Sequence, residues 1–544
     1  MAGRIQILTR GYAGEYLTTN PDFTYFNNRY AKYTNFSKES FSLKPMDQKD
    51  VTTGDTVNFR IPIKRGDLLN GLSVSFTIPE NLDDLNPGLD ISGKTYVSTY
   101  YPNIHGPQIT PIDNFGISVI EHVDLYMGEQ HIDRVTSDDI FIYTQTRESS
   151  SYEDTHAKLN GDDFLNSISQ FYTAFNSSKL IDGQFTRIRE YNGNYYVTRS
   201  KYLESYTTYN VEIPFYFHNR SKYGFPLCAL EYQELEIRIK LRNAKHVLFP
   251  VFYTTSAILT DGASSGFPDA FIWNYVADSA TRDFTLSDFK LNIDVTYLDA
   301  SERMKLKCKT HDILIEQRQH NYFQMEGGVK NKKFRLDFKN CVKEIYFLAR
   351  KRPDLTTTQI DTIDRLFNST YKTLKPIDPA YLNYNYSVNY DTRLLNFYIQ
   401  KPVPCMYTKQ DVTTLTCDNV PILDEVTGSD QFLMAALPDI HNTRTPNKKN
   451  IMMYSFALHP DKLEPSGHLN FSTIKDAIVD MTLYYDGTIG AYDQVGKYME
   501  DYWITYGGET EDFVAPRDVV KDIIVIAKSY NVLRFENGAA KLLF

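Results

Sequence analysis

The amino-acid sequence predicts an all-β protein in which antiparallel sheets pack as sandwiches. Three observations support this: apolar and polar residues alternate over many short runs, helical periodicity is rare, and long polar segments join the runs. Alternation is strictest at 57–63, 72–78, 234–241 and 291–297. It places one face of a strand on a core and the other face in water, and many such strands with few helices are typical of sandwiches. Looser alternation predicts further strands at 117–127, 211–217, 334–338, 342–349, 479–485 and 530–535.

Helices are predicted only as additions to the connections. Residues 162–180 and 358–374 each carry an apolar stripe with helical spacing. Both lie inside long segments between predicted strands, so we expect them to decorate loops. The chain divides into two strand-rich halves that meet near 300–312. Long connections, rich in Tyr, Asn, Asp, Thr, Gly and Pro, are predicted at about 80–115, 145–205, 243–288, 351–400 and 486–518.

Composition excludes several classes of protein. The chain has 544 residues, of which 42% are hydrophobic and 23% charged, which excludes intrinsic disorder. Its net charge of −10 argues against a protein that wraps nucleic acid, because phosphate neutralisation needs surplus Lys and Arg. The five cysteines are scattered without a CxxC pair, so we expect a reducing compartment. Because no signal peptide and no run of about 18 apolar residues is visible, we expect a soluble protein on the cytosolic side.

The sequence contains no recognisable catalytic, metal or cofactor motif. Gly496-Lys497 is the nearest approach to a phosphate-binding loop, but Tyr498 follows the lysine and Ala491 replaces the first glycine. HExxH and GxSxG are absent. His311 and His320 lie about 30 Å apart if the strand between them is continuous, too far to share a metal. We therefore predict no catalytic, metal-binding or cofactor-binding residues and no enzymatic activity.

Five segments of the sequence carry more than a generic strand pattern. They are 16–21 with 23–26 and 33–36, 213–217 with 225–230, 297–303 with 313–317, 456–458 with 465–472, and 530–535 with Gly538 and Phe544. The second is similar to an IPxxF…LPLxAL element, the third to YxxLDxxER…YLIEQ and the fourth to PSGxxNFS. In this order, from residue 16 to 544, the five segments resemble the major capsid proteins of large nucleocytoplasmic DNA viruses of the iridovirus, phycodnavirus and mimivirus type.

The residues that carry the resemblance also have structural interpretations. Asp299 is predicted to cap a short helix at 300–307, with Glu302 reaching back in a variant of the capping box. Arg303 is expected to pair with a nearby carboxylate. Residues 465–467 are typical of a turn, after which Asn470 and Ser472 can bond to the backbone. The signature residues are Pro214, Leu298, Asp299, Glu302, Arg303, Pro465, Ser466, Gly467, Asn470 and Ser472.

The resemblance implies a double jelly roll: two consecutive eight-stranded antiparallel jelly rolls with long loops and a few short helices. It implies an N-terminal arm at 1–23, a first jelly roll at 24–300, a short helical linker at 301–312 and a second jelly roll at 313–544. Three chains would form a pseudo-hexagonal capsomer that tiles the icosahedral shell of a large double-stranded DNA virus assembled in the host cytoplasm. The implied partners are other copies, minor capsid and penton proteins and the internal viral membrane layer, without direct contact to nucleic acid.

Two alternatives fit the same fold. One is a minor capsid, penton-like or spike protein, which would be scarce in particles where a major capsid protein is abundant. The other is an enzyme or a sugar-binding protein on a jelly roll. It would require carboxylates, histidines or metal ligands converging in one concavity.

Overall fold

A computed structural model defines the architecture of the chain. It describes residues 15, 18–20, 26, 32–46, 50–78, 108–111, 115–146, 159–160, 188–191, 194–197, 208–244, 247–253, 271–273, 283–325, 329, 331–351, 387–389, 403–405, 410–442, 450–483 and 521–544.

The first half of the chain contains fifteen described strands. They are β1 (Phe36–Leu43), β2 (Val51–Thr52), β3 (Thr56–Ile61), β4 (Leu68–Thr77), β5 (Gln108–Pro111), β6 (Ile120–Met127), β7 (Gln130–Thr136), β8 (Ile188–Tyr191), β9 (Asn194–Val197), β10 (Thr208–Glu212), β11 (Phe225–Pro226), β12 (Leu235–Leu241), β13 (Leu248–Tyr253), β14 (Phe271–Trp273) and β15 (Thr285–Leu298).

The second half contains twelve described strands. They are β16 (His311–Met325), β17 (Asn331–Arg335), β18 (Cys341–Lys351), β19 (Ser387–Asn389), β20 (Val403–Cys405), β21 (Gln410–Cys417), β22 (Val420–Leu423), β23 (Met452–Ser455), β24 (Leu469–Asn470), β25 (Ala477–Leu483), β26 (Lys521–Glu536) and β27 (Ala539–Leu542).

Each half is a sandwich of two antiparallel sheets. In the first half the sheet β1-β15-β4-β10 faces the sheet β3-β12-β6-β7. In the second half β16-β26-β18-β23 faces β17-β25-β21-β22. If the eight main strands of each half are counted in chain order, both halves have the sheet orders 1-8-3-6 and 2-7-4-5. The same arrangement has therefore been built twice, and it is the predicted double jelly roll.

The four runs with strict alternation are confirmed as strands. β3 and β12, for example, bury Val57, Phe59 and Ile61 against Leu235, Ile237 and Ile239 while the residues between them face outward. Burying these side chains is the main contribution to the stability of each sandwich. The first core lies between the two sheets of the first half, and a second core, around Phe347, Val479 and Val525, lies between those of the second.

The helices are short. The described α-helices are α1 (Phe115–Ser118), α2 (Ser137–Thr146), α3 (Ala300–Cys308) and α4 (Leu437–His441), with a π-turn at Phe432–Ala436 and 3-10 turns at Ser221–Tyr223, Leu227–Ala229 and Phe471–Thr473. Among the described residues, no helix is long and apolar enough to cross a membrane. The predicted helices 162–180 and 358–374 lie outside the described residues. Most residues of the predicted long connections also lie outside the described residues. The described parts of these connections include the short strands β5, β8, β9, β13, β14 and β19.

The strand register defines two ends of the molecule. Leu68 of β4 pairs with Thr296 at one end, and Thr77 pairs with Ser287 at the other. We call the first the linker end, because α3 follows β15 there and the turn between β26 and β27 lies beside it. Strands β4 and β18, which precede residues 79–107 and 352–386 in the chain, both end at the opposite end of the molecule.

Candidate functional site: the junction of the two sandwiches

The two sandwiches share an apolar contact. Phe141 and Ile142 of α2 pack on the outer face of the sheet that contains β18 and β26, and none of the side chains involved is more than 1% exposed. On the second sandwich the contact consists of Tyr346, Leu348, Ile451, Met453, Ile524 and Ile526. Residues 523–527 are therefore buried on both faces of the sheet, which explains why this part of β26 is continuously apolar and does not alternate.

Buried ion pairs surround the apolar contact. The first sandwich contributes Asp133 and Asp139, and the second contributes Arg318 and His320 from β16. The Arg318 guanidinium donates to Asp133 Oδ2 at 2.6 Å, and His320 Nε2 lies 2.7 Å from Asp139 Oδ2. All four side chains are at most 7% exposed. Arg318 also donates to the carbonyl of Pro214, so this signature residue lies at the junction.

A further ion pair continues the same division of charge. Asp138 of α2 accepts a hydrogen bond from Arg350 Nη1 at 3.0 Å, and both side chains are buried. At this part of the junction the first sandwich thus presents three aspartates, and the second presents two arginines and a histidine. The aspartates of the first sandwich face the basic side chains of the second. This arrangement favours the association of the first sandwich with the second over the association of two first or two second sandwiches.

The protein environment keeps Asp139 ionised despite its burial. Burial alone would raise the pKa of this carboxyl, but the adjacent His320 and Arg318 and the Thr136 amide more than compensate. The pKa of Asp139 therefore lies well below its ordinary value.

A second charged cluster closes the junction near the linker end. Glu316 of β16 binds the ammonium of Lys343, whose side chain is fully buried, and Arg220 Nη1 lies 3.2 Å from the same carboxylate oxygen. Lys343 also donates to the carbonyl of Pro460 at 2.8 Å. Burial would raise the pKa of Glu316, but Lys343 and Arg220 lower it well below the ordinary range. Because Arg220 belongs to the first sandwich, this cluster joins both halves.

Asp67 connects two of the signature segments. Its buried carboxylate accepts a hydrogen bond from the Leu298 amide at 2.9 Å and lies 3.0 Å from Arg303 Nε. Its backbone carbonyl accepts from the Cys228 amide at 3.2 Å. This carboxylate is the partner of Arg303, and it fixes the start of the linker to the first sandwich.

The prediction that the Asp299 side chain caps α3 in a variant of the capping box is wrong. Asp299 occupies the N-cap position of α3, but its side chain makes no capping hydrogen bond to a helix amide. Its carboxylate accepts from the Ser301 hydroxyl at 2.9 Å, and that bond lowers its pKa. The Asp299 backbone carbonyl accepts from the amides of Glu302 and Arg303 at 3.1 and 3.0 Å. The helix therefore starts through backbone bonds, and Glu302 follows in its first turn.

The prediction of a turn at 465–467 is wrong, because the turn lies at 460–461 and the segment that begins with Pro465 runs back alongside residues 456–459. The Ser466 hydroxyl accepts from the His459 amide at 2.9 Å, and the Ser466 carbonyl accepts from Leu458 at 3.2 Å. Gly467 has a φ of +136°, and a Cβ at this position would lie 2.6 Å from the Phe456 carbonyl oxygen. Only glycine fits this position without displacing the backbone.

Asn470 and Ser472 stabilise the 3-10 turn that follows. Asn470 Oδ1 accepts from the Ser472 amide at 3.1 Å, which makes Asn470 the cap of this turn. The Ser472 hydroxyl accepts from the Asn340 amide at 2.8 Å and so fixes the approach to β18. These contacts give both residues a structural role within the second sandwich.

No metal cluster or disulfide is found among the described residues. No group of three or more His, Cys, Asp or Glu side chains there is arranged to hold a metal ion. His311 stacks on Phe535 and His320 pairs with Asp139, so the two histidines have separate surroundings. Cys228, Cys308, Cys341 and Cys417 are free thiols.

Sequence reasoning missed the junction charges, although one signal was present. Lys343 and Glu344 interrupt an apolar run that continues from Val342 to Ala349, and neither is exposed. Charged residues inside a buried strand are rarely found unless they are paired. Lys343 binds Glu316 only 27 residues away, but the partners of the charges that cross the junction lie far away in the chain. Arg318 binds Asp133 across 185 residues, and Arg350 binds Asp138 across 212.

Solved structures share this arrangement over nearly the whole chain. The PBCV-1 VP54 crystal structure matches with a TM-score of 0.59 and 18% identity, covering 96% of this chain and 100% of that one. The Faustovirus major capsid protein matches with a TM-score of 0.55 and 13% identity, covering 97% and 95%. The fold is that of double jelly-roll capsid proteins.

Sequence comparison gives the family. The profile described as "Major capsid protein N-terminus" matches residues 24–276, and the profile described as "Large eukaryotic DNA virus major capsid protein" matches 302–541. Similar proteins include the major capsid protein of Phaeocystis pouchetii virus, 26% identical over 88% of this chain and 92% of its own length. The major capsid protein of Paramecium bursaria Chlorella virus 1 is 23% identical over the full length of both. The chain belongs to the major capsid protein family of large eukaryotic DNA viruses.

Proposed function

We propose that this chain is the major capsid protein of a large double-stranded DNA virus and that three copies form each capsomer. Three copies bring six sandwiches together, which gives the pseudo-hexagonal outline needed to tile an icosahedral shell. The function is structural and not enzymatic. Family membership supports the capsid role, and the arrangement of the sandwiches supports the capsomer.

The observation that carries this proposal is the repeated strand order. Both halves have the sheet orders 1-8-3-6 and 2-7-4-5, so they offer building blocks of the same shape. The ion pairs Asp133–Arg318, Asp138–Arg350 and Arg220–Glu316 hold the halves in one orientation. A rigid pair of similar blocks is suited to a ring of six, because threefold symmetry then generates nearly equal corners. Contacts of the obligate type would bury on the order of 2,000–5,000 Å² between copies.

The organisation of the chain follows from the same proposal. We place an N-terminal arm at 1–23, the first jelly roll at 24–300, the helical linker at 301–312 and the second jelly roll at 313–544. The two family profiles, which end at 276 and begin at 302, support a division in this region.

The proposed setting is the capsid shell of a virion assembled in the host cytoplasm. The partners are neighbouring capsomers, minor capsid and penton proteins, and the internal membrane layer. The net charge of −10 supports a shell protein that makes no direct contact with DNA.

Light scattering and negative-stain microscopy of the purified protein test the capsomer. We expect a mass of about 189 kDa, three times the 62.9 kDa of one chain, and a pseudo-hexagonal outline. A monomer at micromolar concentration would contradict the trimer. Abundance in purified particles separates a major capsid protein from a minor one, because the shell protein must dominate the particle's protein content.

A further inference from the structure

Helix α3 is an exposed basic element at the linker end. None of its residues is buried, and the segment 303–309 contains Arg303, Lys305, Lys307 and Lys309 without any acidic residue. This local charge of +4 contrasts with the −10 of the whole chain. Because none of its residues is fully buried, the side of α3 that does not contact the first sandwich is available to a partner.

The four cations point in two directions. Arg303 Nε lies 3.0 Å from Asp67, and Lys307 Nζ lies 2.7 Å from Glu231. These two ion pairs fix one side of the helix to the first sandwich. Lys305 lies about 200° around the helix from Arg303, and Lys309 follows Lys305 after one turn. Lys305 and Lys309 are exposed, and neither forms an ion pair with the residues that the structure describes.

Two exposed apolar side chains lie near these residues, Met304 next to Lys305 in the helix and Tyr232 on the side of the helix that carries Lys307. Met304 of α3 is 57% exposed, and Tyr232 is 78% exposed. The Lys307–Glu231 ion pair brings the segment containing Tyr232 next to the helix. The Tyr232 amide also donates to the Gly538 carbonyl at 3.2 Å, so its backbone is held in place. Tyr and Met are enriched in the cores of protein interfaces, where they supply contact area around charged pairs.

We infer that Lys305 and Lys309, with the neighbouring Met304, form a docking surface for an extended acidic segment of another protein. The spacing supports this partner. Lys305 and Lys309 are separated by about 6 Å along the helix, and alternate side chains of an extended peptide lie about 6.6 Å apart. Carboxylates at alternate positions of such a peptide therefore reach both lysines.

A membrane surface fits these residues less well. Two lysines give only weak attraction to anionic lipid, and stable anchoring needs a second signal such as a broad apolar face. The exposed apolar side chains here are one methionine and one tyrosine. The inference deepens the proposed function, since it names the chemistry of a minor protein that would bind at the linker end.

Fluorescence anisotropy tests the inference with the full-length protein. The probe is a fluorescein-labelled peptide of about ten residues in which Glu and Thr alternate, so that its carboxylates lie on one face of an extended chain. Its partner peptide has the same composition with all glutamates in one block. We expect tighter binding of the alternating peptide. We also expect the double variant Lys305→Glu/Lys309→Glu to bind it about tenfold more weakly or worse, because two attractions become repulsions.

The variant Lys64→Glu/Lys222→Glu is the matched control. It makes the same charge change at two exposed lysines of the linker end and leaves α3 intact. Retained binding in this control supports the docking surface. Equal weakening in both double variants, or equal binding of both peptides, would overturn it. Co-sedimentation with phosphatidylserine vesicles that depends on Lys305 and Lys309, without peptide binding, would also overturn it in favour of a membrane contact.

Light scattering of each variant separates this inference from the proposed function. A trimeric Lys305→Glu/Lys309→Glu protein that has lost the peptide supports both conclusions. A trimeric wild-type protein that binds no peptide overturns the docking surface alone, and a monomeric wild-type protein contradicts the capsomer alone.

Discussion

Replacement of Lys343 by methionine is expected to destabilise the protein severely. The Lys343 ammonium is fully buried and binds Glu316, whose side chain is only 7% exposed. Methionine fills a similar volume but leaves the Glu316 carboxylate with Arg220 at 3.2 Å as its remaining charge partner at this cluster. Removing one partner of a buried pair costs about 3–5 kcal/mol, and the remaining arginine places Lys343→Met near the lower limit. We therefore expect a loss of about 3 kcal/mol.

The double variant Glu316→Gln/Lys343→Met isolates the cause of that loss. It removes both charges, so no uncompensated carboxylate remains, and it should cost less than Lys343→Met alone. The matched control is Lys333→Met, which removes a lysine that is 72% exposed and 3.6 Å from Asp480. We expect the control to change stability by less than about 1 kcal/mol.

Urea denaturation followed by intrinsic fluorescence measures these differences. The midpoint of the transition should fall by about 1 M for Lys343→Met, taking a slope of about 3 kcal/mol per M. A fall no larger than that of Lys333→Met would refute the argument that the buried carboxylate depends on Lys343. A double variant that costs as much as Lys343→Met alone, or more, would refute the coupling.

Three further perturbations test other parts of the structure. The pKa values of Asp139 and Glu316 are lowered in the folded state, so their stabilisation is complete above their ordinary values of 3.8 and 4.5 and is lost as the pH falls through the folded values. The melting temperature should therefore be insensitive to these groups at neutral pH and fall below about pH 4.5; a constant value down to pH 3 would contradict this. Gly467→Ala should cost more than about 2 kcal/mol in urea unfolding, because its Cβ would meet a carbonyl oxygen at 2.6 Å. Gly128→Ala, where the nearest atom would be 3.9 Å away, should cost only about 1 kcal/mol, and equal losses would exclude the steric explanation. Asp67→Ala removes the acceptor of the Leu298 amide at the end of β15 and the partner of Arg303, and should lower stability by about 2 kcal/mol; an unchanged urea midpoint would show that this end of β15 does not depend on the carboxylate.

The strands with two different faces could be predicted from sequence, because a period of two residues follows directly from strand geometry. β3 and β12 each have one face on the core and one in water, and their alternation predicts them well. β26 shows the limit of this argument. Its residues 523–527 are covered by the second core on one face and by the first sandwich on the other, so the pattern carries no information about orientation.

The candidate site was less predictable than the fold. Arg303 could be expected to pair with a carboxylate, but only the folded chain brings Asp67 to it. Asp299 has the residue type and position of a capping residue, yet Ser301 two residues later competes for its carboxylate. The junction ion pairs join residues about two hundred positions apart, and no local pattern specifies such pairs.

A cryo-electron microscopy map of the purified oligomer would test the central claim most directly. The account predicts a threefold particle with six similar lobes, in which first and second sandwiches alternate and the sandwiches within each chain keep the orientation fixed by Arg220, Arg318 and Arg350. Particles without threefold symmetry, or trimers in which the two sandwiches of a chain are separated, would contradict it.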